Sequence, residues 1–317
     1  MRKVKIAQIG TSYYSHGSQI FDLVKSQSHL FEIVGYAFPE NEREKFAHLM
    51  PIFDGYREMS VEEILKDPEI EAVSVCTHND FHSIISIDFM RAGKNVLCEK
   101  PAARILSEAL EMQKVAHETG KVLNIGVCNR FNTYVHKIRE LIDAGELGEV
   151  YHVYASFRAH RSIPGIGGDF TTKAKSGGGA LIDWGVHYLD LIMYCCGDPK
   201  PLTASGEAFC KLGKDIKNYT YTSMWAEDTA DMNGTYDVDD SVVGIVRTTG
   251  PVISFNGAWA QNIRPDEELR RTKMDEHSLA KNRVNGILVH IDAWYDAFDI
   301  KPDSKMYVLP GERVKLW

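Results

Sequence analysis

The chain has 317 residues, 44% apolar and 25% charged, which suits a globular protein with a substantial core and excludes a disordered, collagen-like or coiled-coil chain. At roughly 150 residues per domain, the length predicts two domains. Its 36 Lys and Arg against 44 Asp and Glu leave a formal charge of −8, which argues against broad binding to nucleic acid or to an anionic membrane surface.

No run approaches the ~20 apolar residues of a membrane span. The N-terminus lacks the apolar segment and cleavage site of a signal peptide. Instead Val4, Ile6, Ala7 and Ile9 lead straight into Gly10, as a first strand would. The six cysteines (76, 98, 128, 195, 196 and 210) show no CxxC or Cys/His zinc spacing, and Cys195-Cys196 are vicinal. Free, buried thiols in a reducing cytosol are expected, hence a cytoplasmic protein.

Short β-branched runs at 4–9, 32–37, 71–76, 95–98 and 121–126 predict five strands. Between them, 20–24, 40–49, 61–65, 81–92 and 105–117 carry apolar residues at helical spacing. Ser60 reads as an N-cap, and Gly93 and Gly120 as helix stops. Strand–helix alternation with nearly continuous apolar strands predicts a doubly wound parallel sheet covered on both faces. The texture changes near residue 128. A helix at 133–144 ends at Gly145, and alternating runs at 150–157, 201–211, 242–248 and 252–259 predict an open, mostly antiparallel sheet. The apolar run 180–195 predicts a helix across its face. The polar stretch 261–286 reads as a connector, followed by a helix at 287–299 and a strand at Val314–Trp317.

Three segments carry chemistry. In the first, Gly10-Thr11-Ser12-Tyr13 opens a helix directly after a strand, the place where a dinucleotide fold turns helix N–H groups toward a pyrophosphate. Ser12 stands at the second glycine position of GxGxxG. Phe38 stands where an acid for the ribose hydroxyls is expected, with Glu40, Arg43 and Lys45 nearby. NAD and NADP therefore both stay open, with NAD favoured. In the second, Thr77-His78-Asn79 with His82 follows one strand and Glu99-Lys100-Pro101 follows the next, both at strand ends where open α/β sheets bind ligands. The third is Gly177-Gly178-Gly179-Ala180-Leu181-Ile182-Asp183-Trp184-Gly185-Val186-His187. Asp183 and His187, four apart on a helix, share a face, and a carboxylate beside an imidazole can tune a proton-transfer group. The spacing alone leaves open a buried structural pair or part of a metal site.

Glu99-Lys100-Pro101, with Thr77-His78-Asn79 before it and GGGALIDWGVHYLD after it, resembles the Gfo/Idh/MocA oxidoreductases, which include glucose–fructose oxidoreductase and inositol dehydrogenases. The resemblance runs from residue 1 to about 262. It implies a Rossmann-type dinucleotide-binding domain over 1–126 and an α+β substrate-binding and oligomerisation domain over 127–317. It also implies an NAD(P)-dependent dehydrogenase acting on a secondary hydroxyl of a sugar, glycoside or cyclitol. By that resemblance Lys100 touches nicotinamide ribose and substrate hydroxyl, Asp183 orients substrate and His187 is the acid/base. Gly10, Thr11, Ser12, Tyr13, Thr77, Asn79, His82, Glu99 and Lys100 line the cofactor, with no metal. A homodimer or homotetramer is expected. Alternatives on the same fold are a non-catalytic cofactor or sugar sensor, and a glycoside-cleaving enzyme with tightly held NAD. The sequence departs from the family at Ser12, at Phe38, and at Asp169-Phe170, which stand where an aromatic–basic pair is usual.

Overall fold

The computed structural model describes residues 2–11, 17–39, 42–45, 47–159, 162–218 and 230–261. In chain order its strands and α-helices are β1 (Val4–Ile9), α1 (Gly17–Ser26), β2 (Phe31–Ala37), α2 (Glu42–Lys45), α3 (Val61–Lys66), β3 (Ala72–Val75), α4 (Asn79–Arg91), β4 (Asn95–Cys98), α5 (Leu106–Thr119) and β5 (Leu123–Ile125). There follow α6 (Thr133–Asp143), β6 (His152–Arg158), α7 (Lys173–Ser176), α8 (Val186–Cys195), β7 (Pro201–Phe209), β8 (Ser241–Thr248) and β9 (Val252–Ala258). No helix among the described residues is long and apolar enough to cross a membrane. The chain divides into two units. The first comprises the described residues up to Gly126 together with Gly167–Gly178; the second comprises Val127–Ile166 and the described residues from Gly179 on.

In the first unit five parallel strands are ordered β2-β1-β3-β4-β5. Ala7, Ile9, Val73, Val75, Val96 and Cys98 from the central strands are fully buried and pack with Ile85, Phe89 and Met90 of α4 and Met112 and Val115 of α5. Their burial explains why the strands read as unbroken apolar runs. Local signals set the ends of the helices. Ser60 Oγ accepts from Glu63 N at 3.1 Å while Glu63 Oε2 accepts from Ser60 N at 2.7 Å, a complete capping box for α3. Gly120 closes α5 in the left-handed conformation. Beyond β2, Phe38 stands edge-on to Tyr36 and Phe53 within an aromatic cluster. Packing, then, occupies the position at which an acid was expected.

In the second unit the sheet order is β6-β9-β8-β7, with β7–β8 and β8–β9 antiparallel and β6–β9 parallel. The sheet is thus mixed but mostly antiparallel, because β6 joins the β7–β8–β9 meander from far upstream. The run 180–195 is helical, with one difference from expectation: Leu181–Gly185 forms a turn of π-helix before α8. This run lies on the sheet. Phe157 of β6 stacks on Tyr188 of α8 with ring centroids 5.0 Å apart. On its other side α8 packs against α6 through Leu191, Cys195, Val135, Ile138 and Leu141. The expected helix at 287–299, the strand at 314–317 and the connector beyond Gln261 lie outside the described residues, as do Ser12, Tyr13 and Glu40.

None of the six cysteines forms a disulfide: Cys76, Cys98 and Cys195 are buried, Cys196 and Cys210 half-buried and Cys128 exposed. The expectation of buried thiols therefore fails for Cys128, which sits in the short helical turn Cys128–Phe131 after β5 rather than in a strand.

Candidate active site

Two loops at the C-terminal ends of β3 and β4 hold the candidates of the first unit. Thr77, His82, Glu99 and Lys100 are all buried there. Glu99 Oε2 accepts from the Lys100 main-chain N–H at 3.2 Å, and the Lys100–Pro101 peptide is cis. His82, in the first turn of α4, fastens the two loops together. Its Nδ1 lies 2.7 Å from the carbonyl oxygen of Pro101 and its Nε2 lies 3.0 Å from that of Thr77. Burial pushes its pKa below the ordinary imidazole value, against the two carbonyls, which favour the proton. Asn79 uses its amide within the unit, donating from Nδ2 to the Ser176 carbonyl at 2.9 Å. The segment carrying Ser176 is held further by Lys175–Asp80 at 2.8 Å, His78–Asp169 at 3.2 Å and Arg104 Nη1 to the Ala174 carbonyl at 2.7 Å.

The β1–α1 junction fits a dinucleotide. Gly10 turns with φ +74°, and a Cβ there would meet Thr77 Cγ2 at 2.7 Å, so only glycine lets β1 end against the β3 loop. Thr11 is fully buried, and its hydroxyl has no hydrogen-bond partner among the described residues. An orphaned hydroxyl just past the end of a Rossmann-type first strand is what an incoming phosphate oxygen would satisfy. Gln8, buried on β1, ties both ends of the turn by donating to the Gly10 carbonyl at 3.1 Å and the Gly17 carbonyl at 3.0 Å.

In the second unit Asp183 sits in the π turn and His187 in the first turn of α8, both buried. The π turn is anchored by Asp239, whose Oδ1 accepts from Gly179 N at 2.7 Å and Oδ2 from Leu181 N at 2.9 Å. Asp183 Oδ2 in turn accepts from the indole Nε1 of Trp259 at 2.9 Å. Near the other end of the helix Asp190 takes Arg130 bidentately, at 2.7 and 2.5 Å.

Gln8, Asp239 and Trp259 were not singled out from the sequence; Gln8 acts within its own turn, whereas Asp239 and Trp259 reach partners far away in the chain. Only Trp259 left a signal: a tryptophan at the end of an alternating strand is buried, and a buried indole N–H requires an acceptor. Among the described residues no cluster of His, Cys, Asp and Glu could hold a metal ion.

Comparison with known proteins identifies the family of both parts of the chain. Residues 4–127 match the family model for an oxidoreductase family with an NAD-binding Rossmann fold, and residues 135–271 match the GFO/IDH/MocA C-terminal domain. A third match, of residues 251–314 to peptidase family M13, overlaps the second and falls mostly outside the described residues. D-glucoside 3-dehydrogenase of Escherichia coli (strain K12) is 36% identical over 195 residues, 61% of this chain and 53% of that protein. A 1,5-anhydro-D-fructose reductase of Ensifer adhaerens is 36% identical over 202 residues, 63% of this chain and 54% of that protein. The chain thus spans about half the length of the curated relatives it matches. Among solved structures, an NAD-binding protein from Listeria innocua superposes with a TM-score of 0.65 at 25% identity, covering 83% of this chain and 67% of that one. With both of its family models matched in order, and with the strand-end loops and the Asp183–His187 helix formed, this chain belongs to the GFO/IDH/MocA oxidoreductases, and its N-terminal part is their NAD-binding Rossmann fold.

Proposed function

We propose that the chain transfers a hydride between a nicotinamide dinucleotide and a carbon bearing a secondary hydroxyl on a sugar, glycoside or cyclitol. The observation that carries this is the burial of three ionisable side chains at the motif positions: Lys100 is 7% exposed, Asp183 8% and His187 3%. Burying ionisable groups is costly, and their burial within the motif segments supports chemistry over mere solvation. When bound, the dinucleotide supplies the hydride acceptor or donor. The Gly10–Thr11 turn, with Ser12, Tyr13 and the start of α1, holds its pyrophosphate. Thr77, Asn79, His82 and Glu99 shape the loops on the nicotinamide side. Lys100 donates to the ribose and to the substrate hydroxyl. Asp183 accepts from a substrate hydroxyl and fixes the ring. His187 takes the proton of the reacting hydroxyl at a ring nitrogen. Relatives named as a glucoside dehydrogenase and an anhydrofructose reductase support the sugar class. Exposed Leu202, Val243 and Ile245 on the second sheet support a homodimer or homotetramer, which we place in the cytoplasm.

The test is a thermal-shift titration with NAD, NADH, NADP and NADPH, followed by a screen at 340 nm against methyl glucosides and inositols. Dinucleotide at about 100 times its Kd stabilises the fold by about 2.7 kcal/mol. A shift with one pair, and turnover of one polyol, is the expected result. Nucleotide released on denaturation, without a shift, would mean a tightly held cofactor. No shift and no released nucleotide would end the proposal.

A further inference from the structure

Asp183 is held by a residue that the family motifs do not contain. Trp259 is completely buried, and its indole donates to Asp183 Oδ2 at 2.9 Å. The indole itself is fixed from the main chain. Trp259 N donates to the Asp240 carbonyl at 3.0 Å, and the Trp259 carbonyl accepts from Ser162 N at 2.9 Å. Asp240 is pinned in its turn, since its Oδ2 accepts from the main-chain N–H groups of Lys211 and Leu212 at 2.5 and 2.6 Å. The preceding residue, Asp239, caps the start of the helical run that carries Asp183. One dipeptide thus fixes both partners of the Trp259–Asp183 bond, the indole through Asp240 and the carboxylate through Asp239.

We infer that Trp259 is a positioning residue for the reaction, which orients the Asp183 carboxylate toward the substrate hydroxyl. This rests on the proposed role of Asp183. An indole N–H donates only and does not titrate in the physiological range. It therefore fixes the rotation of the carboxylate through Oδ2. A polyol, which offers hydroxyl donors on adjacent carbons, is the substrate class such a fixed acceptor suits. A neutral indole also avoids a second charge beside a buried carboxylate, which Lys or Arg in its place would introduce.

The experiment uses the full chain with 3-benzothienylalanine incorporated at position 259, which keeps the shape of the ring and replaces its N–H with sulfur. With NAD and methyl β-D-glucoside or myo-inositol as probes, kcat is expected to fall about 10- to 100-fold, as a small misplacement of a positioning group does. The Kd for NADH, read from its fluorescence, is expected to stay within error, and the melting temperature to fall only by the few degrees that one lost buried hydrogen bond costs. Combined with Asp183→Asn the two losses should not add, because Trp259 acts on the reaction only through Asp183. A spectrum of the protein labelled with indole-15N tryptophan gives a signature that does not depend on turnover. The Trp259 indole proton, assigned by its loss in Trp259→Phe, should be exchange-protected and should move upfield in Asp183→Asn. Unchanged kcat in the isostere, additive losses, or an indole proton indifferent to Asp183→Asn would each overturn the inference. Absence of NADH binding and of polyol turnover in the wild type would overturn the functional proposal first, whatever the indole spectrum shows, and the role of Trp259 would fall with it.

Discussion

Gly179 and Asp239 approach so closely that no side chain fits between them. A Cβ on Gly179 would lie 1.8 Å from the Asp239 main-chain oxygen, while the Gly179 N–H donates to Asp239 Oδ1 at 2.7 Å. The third glycine of the Gly177-Gly178-Gly179 run is therefore a requirement of the Asp239 contact, and that contact starts the helix bearing Asp183 and His187. Asp239→Ala strips the acceptor from two partly buried main-chain donors, and a loss of about 1–3 kcal/mol is expected in urea unfolding. Gly179→Ala is expected to cost more, because the clash is with main-chain atoms that no rotamer change relieves.

Lys100→Met should abolish turnover while leaving the fold intact. The side chain is of similar length, the ammonium is lost, and the Lys100 N–H to Glu99 Oε2 bond at 3.2 Å uses the main chain and is retained. A melting temperature close to wild type, with no measurable kcat in the 340 nm assay, is the expected pair of results. Activity near wild type would remove Lys100 from the proposed chemistry.

His82 should make stability fall in mild acid. Its folded-state pKa lies below the unfolded value of 6.5, so as pH drops the unfolded chain takes the proton first. The contribution is therefore complete above pH 6.5 and is lost as pH falls from there through the folded pKa, at up to about 1.4 kcal/mol per pH unit. Melting temperature against pH from 8 to 5 checks the slope, and His82→Gln should flatten it. Nitrogen-15 spectra of the imidazole against pH should show the ring titrating below the ordinary imidazole value.

Thiol reactivity should separate the cysteines. At pH 8 an exposed Cys128 is expected to label within minutes, whereas burial pushes the Cys98 and Cys195 thiols up to about 12 and Cys196 to about 11. A thiol at about 12 holds a thiolate fraction of roughly 10⁻⁴ at pH 8, so these sites should react only on unfolding. Peptide mass spectrometry after iodoacetamide, native and denatured, distinguishes them.

Much of the fold was legible where one physical cause acts alone. The strands at 4–9 and 95–98 coincide with the apolar runs that predict them, because strands buried on both faces need little else to be recognised. Ser60 and Gly120 cap helices as read, since capping is settled within a few residues. The π turn at Leu181–Gly185 was not legible. Its apolar spacing differs little from that of an α-helix, and its anchor, Asp239, is a tertiary partner. Nor could the sequence show where Asn79 points. A polar residue at a strand end suits a ligand, yet its amide is engaged by Ser176, 97 residues away in the chain. At Trp259 the reading of the sequence stopped at an alternating strand, and the carboxylate that the indole serves lies 76 residues upstream.

Gly167–Gly178 packs with the first unit although the chain on either side of it belongs to the second. On the ribosome the first unit therefore cannot be finished when its last strand emerges. Asp80, His78, Asn79 and Arg104 wait for partners until the 40 residues Val127–Ile166, and then Asp169–Ser176 beyond them, have been made. At about 5–20 residues per second that is a delay of seconds, during which these half-buried polar groups stand without those bonds. A fragment ending at Gly126 would remain in that interrupted state permanently, so the protein is better expressed whole than by halves.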